Sequence, residues 1–120
     1  MEFTSVTALA NQAFRFSSFE EIGLPNDITQ IGQYAFSGMT RLKNITIPAT
    51  VTSIGFQALR DCSVLSSVTI LATTPPTLPT NHGLLQGSNN AKIYVPSSSV
   101  DTYKSAAGWS AYASRIFAIE

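Results

Sequence analysis

ITQIGQYAFSGMTRLKNITIPAT, residues 28–50, lies without a gap over VTSIGFQALRDCSVLSSVTILAT, residues 51–73, at a constant offset of 23. Every apolar position keeps its character. Ile28, Ile31, Ala35, Phe36, Met39, Leu42, Ile45 and Ile47 fall on Val51, Ile54, Ala58, Leu59, Cys62, Leu65, Val68 and Ile70, and Gly32 falls on Gly55. A fixed period of about 20–50 residues marks a repeat architecture, in which one unit cannot bury its own apolar side and stacks on its neighbours to do so.

Spacing within the unit predicts local structure. Asn44-Ile45-Thr46-Ile47 alternates polar and apolar, the period of a half-buried strand, and Pro48 ends pairing because it has no N–H to donate. Tyr34 to Met39 carries apolar residues three and four apart but is too short for a free helix, so it reads as a helical or 3₁₀ turn. Residues 28–31 read as a second short extended piece, with Gly32 and Gly55 allowing a corner that a Cβ would resist. Stacking then places Ile22, Ile45, Val68 and Ile93 in one ladder and Leu24, Ile47, Ile70 and Val95 in another. Successive levels of a sheet are about 4.8 Å apart. Each stacked apolar side chain contributes roughly 1.5–3 kcal/mol on burial, with Phe14 and Phe36 the largest.

Outward from this pair the repeat decays. An earlier copy starts at Val6, with Leu9, Ala13, Phe14, Phe16, Phe19, Ile22, Leu24 and Pro25 in matching places after a one-residue deletion between Phe14 and Phe19; Ala10 replaces the glycine. In a fourth copy Leu84 suits the Phe-like position and Ile93, Val95 and Pro96 the strand, given about two residues inserted around 87–90. The units are therefore about 6–27, 28–50, 51–73 and a degenerate 74–96. Segment 97–120 reads as a helical cap over the open end of the stack: Ser97 to Ser99 offer N-caps, Val100, Tyr103 and Ala107 share a face, and Gly108 stops the helix. Trp109, Tyr112, Ile116, Phe117 and Ile119 are too apolar to be expected in solvent.

Composition narrows the partners. A chain of 120 residues is one domain, and its seven basic residues balance seven acidic ones. Charged residues make up 12%, whereas 15 Ser and 13 Thr leave hydroxyls to solvate the surface. No basic cluster exists, which argues against nucleic acid and anionic membrane surfaces. No apolar run approaches the roughly 18 residues of a membrane span, so membrane insertion is not expected, and residues 1–5 lack the regions of a signal peptide. The single Cys62 forms no internal disulfide.

The unit Ile-x-x-Ile-Gly-x-x-Ala-Phe-x-x-Met/Cys-x-x-Leu-x-x-Ile-x-Ile-Pro resembles the BspA-type leucine-rich repeat family, best over residues 28–71 and recognisably from Val6. Ala72 to Leu78, Ile93 to Pro96, Val100 to Lys104 and Gly108 to Ser110 look like the C-terminal end of such bacterial proteins. Departures are Leu71 for the Pro, Leu59 for the Phe and the short first copy. The resemblance implies an α+β repeat solenoid, a right-handed coil with one strand per unit on a concave face. It also implies surface or secreted placement, a role in adhesion or protein recognition, and no catalysis. The chain reads as the C-terminal portion of a longer protein.

No catalytic, metal or cofactor set emerges from the residues. His82, in Pro79-Thr80-Asn81-His82-Gly83, stands outside any nucleophile-elbow pattern, and a hydrolase would need it beside a Ser and an acid such as Asp101. Cys62 stands in the place of Met39 and reads as a buried, inert side chain. Glu20-Glu21 reads as solvated strand surface rather than a cation site, and Asn44-Ile45-Thr46 matches a glycosylation acceptor by composition alone. What remains is the outward row of the strands. Glu21 and Gly23, Asn44 and Thr46, Ser67 and Thr69, Lys92 and Tyr94 fall in register, a polar face with one aromatic anchor suited to a peptide or glycan. The leading expectation is a non-enzymatic module binding an extracellular protein or glycan through Glu21, Asn44, Thr46, Ser67, Thr69, Lys92 and Tyr94. The next is a purely structural C-terminal cap of a longer array, and a hydrolase comes a distant third. Open unit edges are able to pair two copies into a homo-dimer.

Overall fold

The computed structural model describes residues 8–9, 13–88 and 91–119; Val6 and Ala10 lie outside them. The chain passes alternately between two parallel sheets. The first joins β1 (Ala8–Leu9), β2 (Gln30–Ile31) and β4 (Ser53–Ile54) in the order β1-β2-β4. The second joins β3 (Asn44–Ile47), β5 (Ser67–Ile70), β6 (Lys92–Val95) and β7 (Ile116–Ala118) in the order β3-β5-β6-β7. Asn44, Ile45, Thr46 and Ile47 pair with Ser67, Val68, Thr69 and Ile70, so residues 23 apart stand on adjacent levels. This is a repeat fold, and its period in space equals its period in sequence.

The stacked positions form the core. All the apolar residues matched between 28–50 and 51–73 are at most 4% exposed. Phe14 lies face to face with Phe36, centroids 5.8 Å apart and planes 2° from parallel. Leu71, where the unit would have Pro, donates its N–H to Ile47 O at 3.0 Å, a bond that proline could not make.

Four expectations are corrected. Residues 34–38 form two successive turns rather than a helical one: Ala35 N–H bonds Gly32 O and Ser37 N–H bonds Tyr34 O, while Tyr34, Phe36 and Gly38 donate to Phe56 O, Ala58 O and Arg60 O of the next unit. Tyr34, Gly38, Gln57 and Asp61 accordingly take left-handed backbone, with φ of 57°, 73°, 51° and 58°. Donors that would close a helix instead close a ladder between units. In the first copy Phe14 and Phe16 bond Ala35 O and Ser37 O, which sets Phe16 level with Gly38; it is 70% exposed, and Phe19 is 41% exposed. Ile22 is buried, yet residues 20–25 form no strand, so the ladder expected through Ile22 and Leu24 ends at β3. In the fourth copy Leu59 N–H bonds Leu84 O, which sets Leu84 level with Ala58 and Leu85 with Leu59, so the extra residues enter before Gly83 rather than at 87–90.

The tail adds a strand that was not expected. A 3₁₀ turn at Ser97–Ser99 leads into α1 (Val100–Ser105), and a second 3₁₀ segment, Trp109–Arg115, kinks at Tyr112. Ser99 Oγ donates to Thr73 O instead of capping α1. Tyr103 and Trp109 are buried edge to face, 5.3 Å apart, donating to Ala72 O at 2.7 Å and Pro76 O at 2.8 Å. Chain then returns as β7, parallel to β6 through Ile93↔Ile116, Tyr94↔Phe117 and Val95↔Ala118, and Phe117 faces solvent at 42% exposure.

Candidate functional site

Pleating alternates the burial of the four-stranded sheet, inward for Ile45, Ile47, Val68, Ile70, Ile93 and Val95, outward for their neighbours. Parallel register then aligns the outward residues into two rows. Asn44, Ser67 and Lys92 make one; Thr46, Thr69, Tyr94 and Phe117 make the other. Ser67 Oγ donates to Asn44 Oδ1 at 2.7 Å, and Ser66 Oγ stands 3.1 Å from the same oxygen. These hydroxyls order the Asn44 amide across two units.

Six of the seven expected residues therefore lie on strands of one face, and Glu21 lies outside any strand, one level before Asn44. With Gly23 it lines, together with Asn44 and Thr46, a cleft of about 290 Å³. Its neighbour Glu20 meets Lys43 at 3.4 Å, an exposed pair of the kind that adds little.

Phe117 is the residue that sequence reading missed. Its ring lies 6.0 Å from that of Tyr94 at 37°, and Lys92 Nζ stands 5.7 Å from its centroid, within cation–π range. Lys92, Tyr94, Phe117 and Ala118 line a hollow of about 350 Å³. A signal was available: Ile116-Phe117-Ala118 repeats the apolar–aromatic–apolar order of Ile93-Tyr94-Val95. Two rings and an ammonium at one end of a hydroxyl row can bind a partner by packing and hydrogen bonding together.

The other chemical candidates are engaged elsewhere. His82 Nδ1 accepts the Leu84 N–H at 3.0 Å, which leaves Nε2 to donate to Gly108 O at 3.1 Å, while the ring meets Tyr112 edge to face at 5.6 Å. Both nitrogens are held by main chain, and neither is bonded to a serine or to Asp101. Cys62 is fully buried with its thiol donating to Phe36 O at 3.1 Å, and burial pushes that thiol up from 9.0 to about 11. Burial also raises the Tyr103 hydroxyl. Among the described residues no group of His, Cys, Asp and Glu is arranged to hold a metal ion, and no helix is long and apolar enough to cross a membrane.

None of the curated proteins compared with this chain matches it. The family model described as a BspA type leucine rich repeat region (6 copies) matches residues 4–107. The match spans the units whose register the sheets display, and the chain belongs to the BspA-type leucine-rich repeat family.

Proposed function

We propose that this chain is a non-enzymatic interaction module, a right-handed solenoid at the cell surface or in secreted form. Its four-stranded sheet presents Asn44, Thr46, Ser67, Thr69, Lys92 and Tyr94 to an extracellular protein or glycan. The observation that carries the reading is the register of these residues with Phe117 beside Tyr94, which gives a polar row an aromatic end. Family membership supports a protein-interaction repeat. The test is binding of the intact chain and of the Thr46→Ala, Thr69→Ala, Tyr94→Ala triple variant to immobilised extracellular-matrix proteins and to a glycan array. The triple variant loses about tenfold or more in affinity, since a buried aromatic anchor accounts for most of such a contact. Unchanged affinity removes this face from consideration.

A second reading, with this segment acting as the structural end of an array, is favoured by the tail. Tyr103 and Trp109 are buried against residues 72–76, and β7 covers the β6 edge. On that reading, removing residues 96–120 harms the fold and leaves ligand binding to other units. We divide the chain into units at about 6–27, 28–50, 51–73 and 74–96 with a closing segment 97–120.

A further inference from the structure

A hollow of about 780 Å³, more than twice the volume of the one beside Tyr94, lies away from the four-stranded sheet. It follows the corner where each unit turns from the short sheet into its left-handed turns. One wall is a column in register, Gln30 beside Ser53 and Ser53 bridged to Thr77. Gln33 and Phe56 line it as well, and the Phe56 ring is set edge to face against Tyr34 at 5.6 Å and 87°. The floor is main chain on main chain: a Cβ on Gly55 would stand 2.4 Å from Gln33 N. Leu78 and Pro79 complete the lining, and the adjacent Pro76 carbonyl is held by Trp109.

Two observations select the ligand. None of the residues lining the hollow is charged; amides and hydroxyls stand with an aromatic ring and aliphatic side chains. That mixture suits a pyranose, which offers hydroxyls at its rim and C–H groups on its faces. The main chain here is already committed, since Ile54 donates to Thr77 O, Gly55 to Ile31 O and Thr77 to Thr52 O. An extended peptide adding itself as a strand would need such groups free, and a sugar does not. Levels about 4.8 Å apart also approximate the length of one sugar in an extended chain.

We propose that this corner groove binds a neutral, extended oligosaccharide, about one sugar per level, independently of the four-stranded face. The probes are the neutral, extended hexasaccharides of β-1,4-glucan, β-1,4-xylan and β-1,4-mannan, titrated into the full chain by calorimetry at low and high salt. At least one binds saturably, with an affinity unmoved by salt. Phe56→Ala and Gln30→Ala each lower that affinity by about tenfold or more, and the Thr46, Thr69, Tyr94 triple variant leaves it unchanged. Gln30 is exposed, so Gln30→Ala keeps the fold, as circular dichroism checks, even if Phe56→Ala loosens it. The proposal is overturned if no hexasaccharide binds, if affinity survives in Gln30→Ala, if the triple variant abolishes it, or if a neutral extended peptide displaces the sugar at lower concentration.

Discussion

Cys62 and Ser88 show how single residues join the units. The Cys62 thiol donates to Phe36 O at 3.1 Å; Ser88, level with it in the next unit, donates to Leu59 O at 2.8 Å, and Leu59 is the counterpart of Phe36. A hydroxyl thus already does at one level what a thiol does at another. Cys62→Ser is expected to keep the bond and to cost less than about 1.5 kcal/mol. The pH dependence has a definite sign. The native thiol holds its proton to about pH 11 against 9.0 in its ordinary state, so its contribution is fully present below about pH 9 and is lost as pH rises through the native value. That difference corresponds to about 3 kcal/mol. Urea unfolding at about pH 8 and about pH 10.5 should show a smaller alkaline loss in Cys62→Ser than in the parent. Buried Tyr103 acts in the same direction and keeps the remaining loss above zero. An equal loss in both proteins refutes the assignment to Cys62. That this position is buried was legible from its place opposite Met39; its hydrogen bond was not, because the acceptor lies 26 residues back on another level.

The strands and the turns differ in how plainly the sequence announces them. A strand shows itself by alternation within four residues, and β3, β5 and β6 stand at the expected positions. The turn does not, because Ala35, Phe36 and Met39 have the same spacing whether their N–H groups close a helix or reach the neighbouring unit. Only that unit decides. Phe16 escaped for a related reason: the residue missing from the first copy falls after it, so it stands level with half-buried Gly38 and not with buried Met39. The glycine corner was legible. Gly55→Ala drives a Cβ to 2.4 Å from Gln33 N, against backbone that has little room to yield, and is expected to cost about 1–3 kcal/mol in the urea midpoint. Gly23→Ala meets nothing within 4 Å and is the control, with an expected change inside about 0.5 kcal/mol. Equal effects at the two positions contradict the close approach.

At the scale of the molecule, repetition made the register readable and the closing segment hid its last strand. β7 keeps the offset of 23 from β6, as Ile93↔Ile116 shows, but the helix and kinked 3₁₀ segment between them carry none of the unit's apolar pattern, so the strand was masked by what precedes it. The closing segment's apolar residues were expected out of solvent, and Trp109 and Ile116 are buried; Phe117 was expected there too and instead extends the outward row. Deleting residues 96–120 removes Tyr103 and Trp109 from the core and bares the β6 edge that β7 covers. The truncated chain is expected to aggregate or to lose cooperative unfolding in size-exclusion chromatography and thermal melts. A sharp monomeric transition would show the tail to be dispensable. The bonds between levels carry a further consequence. Thr52 N–H reaches Thr29 O, Ser66 N–H reaches Lys43 O, and Gly38 N–H reaches Arg60 O, so each donor seeks a place rather than a particular side chain. A gene that gains or loses one whole period leaves every such donor with an acceptor, whereas a gain of a few residues is accommodated only in a loop, as before Gly83. Length in this architecture is thus quantised: a whole period fits the stack, and a fraction of one does not.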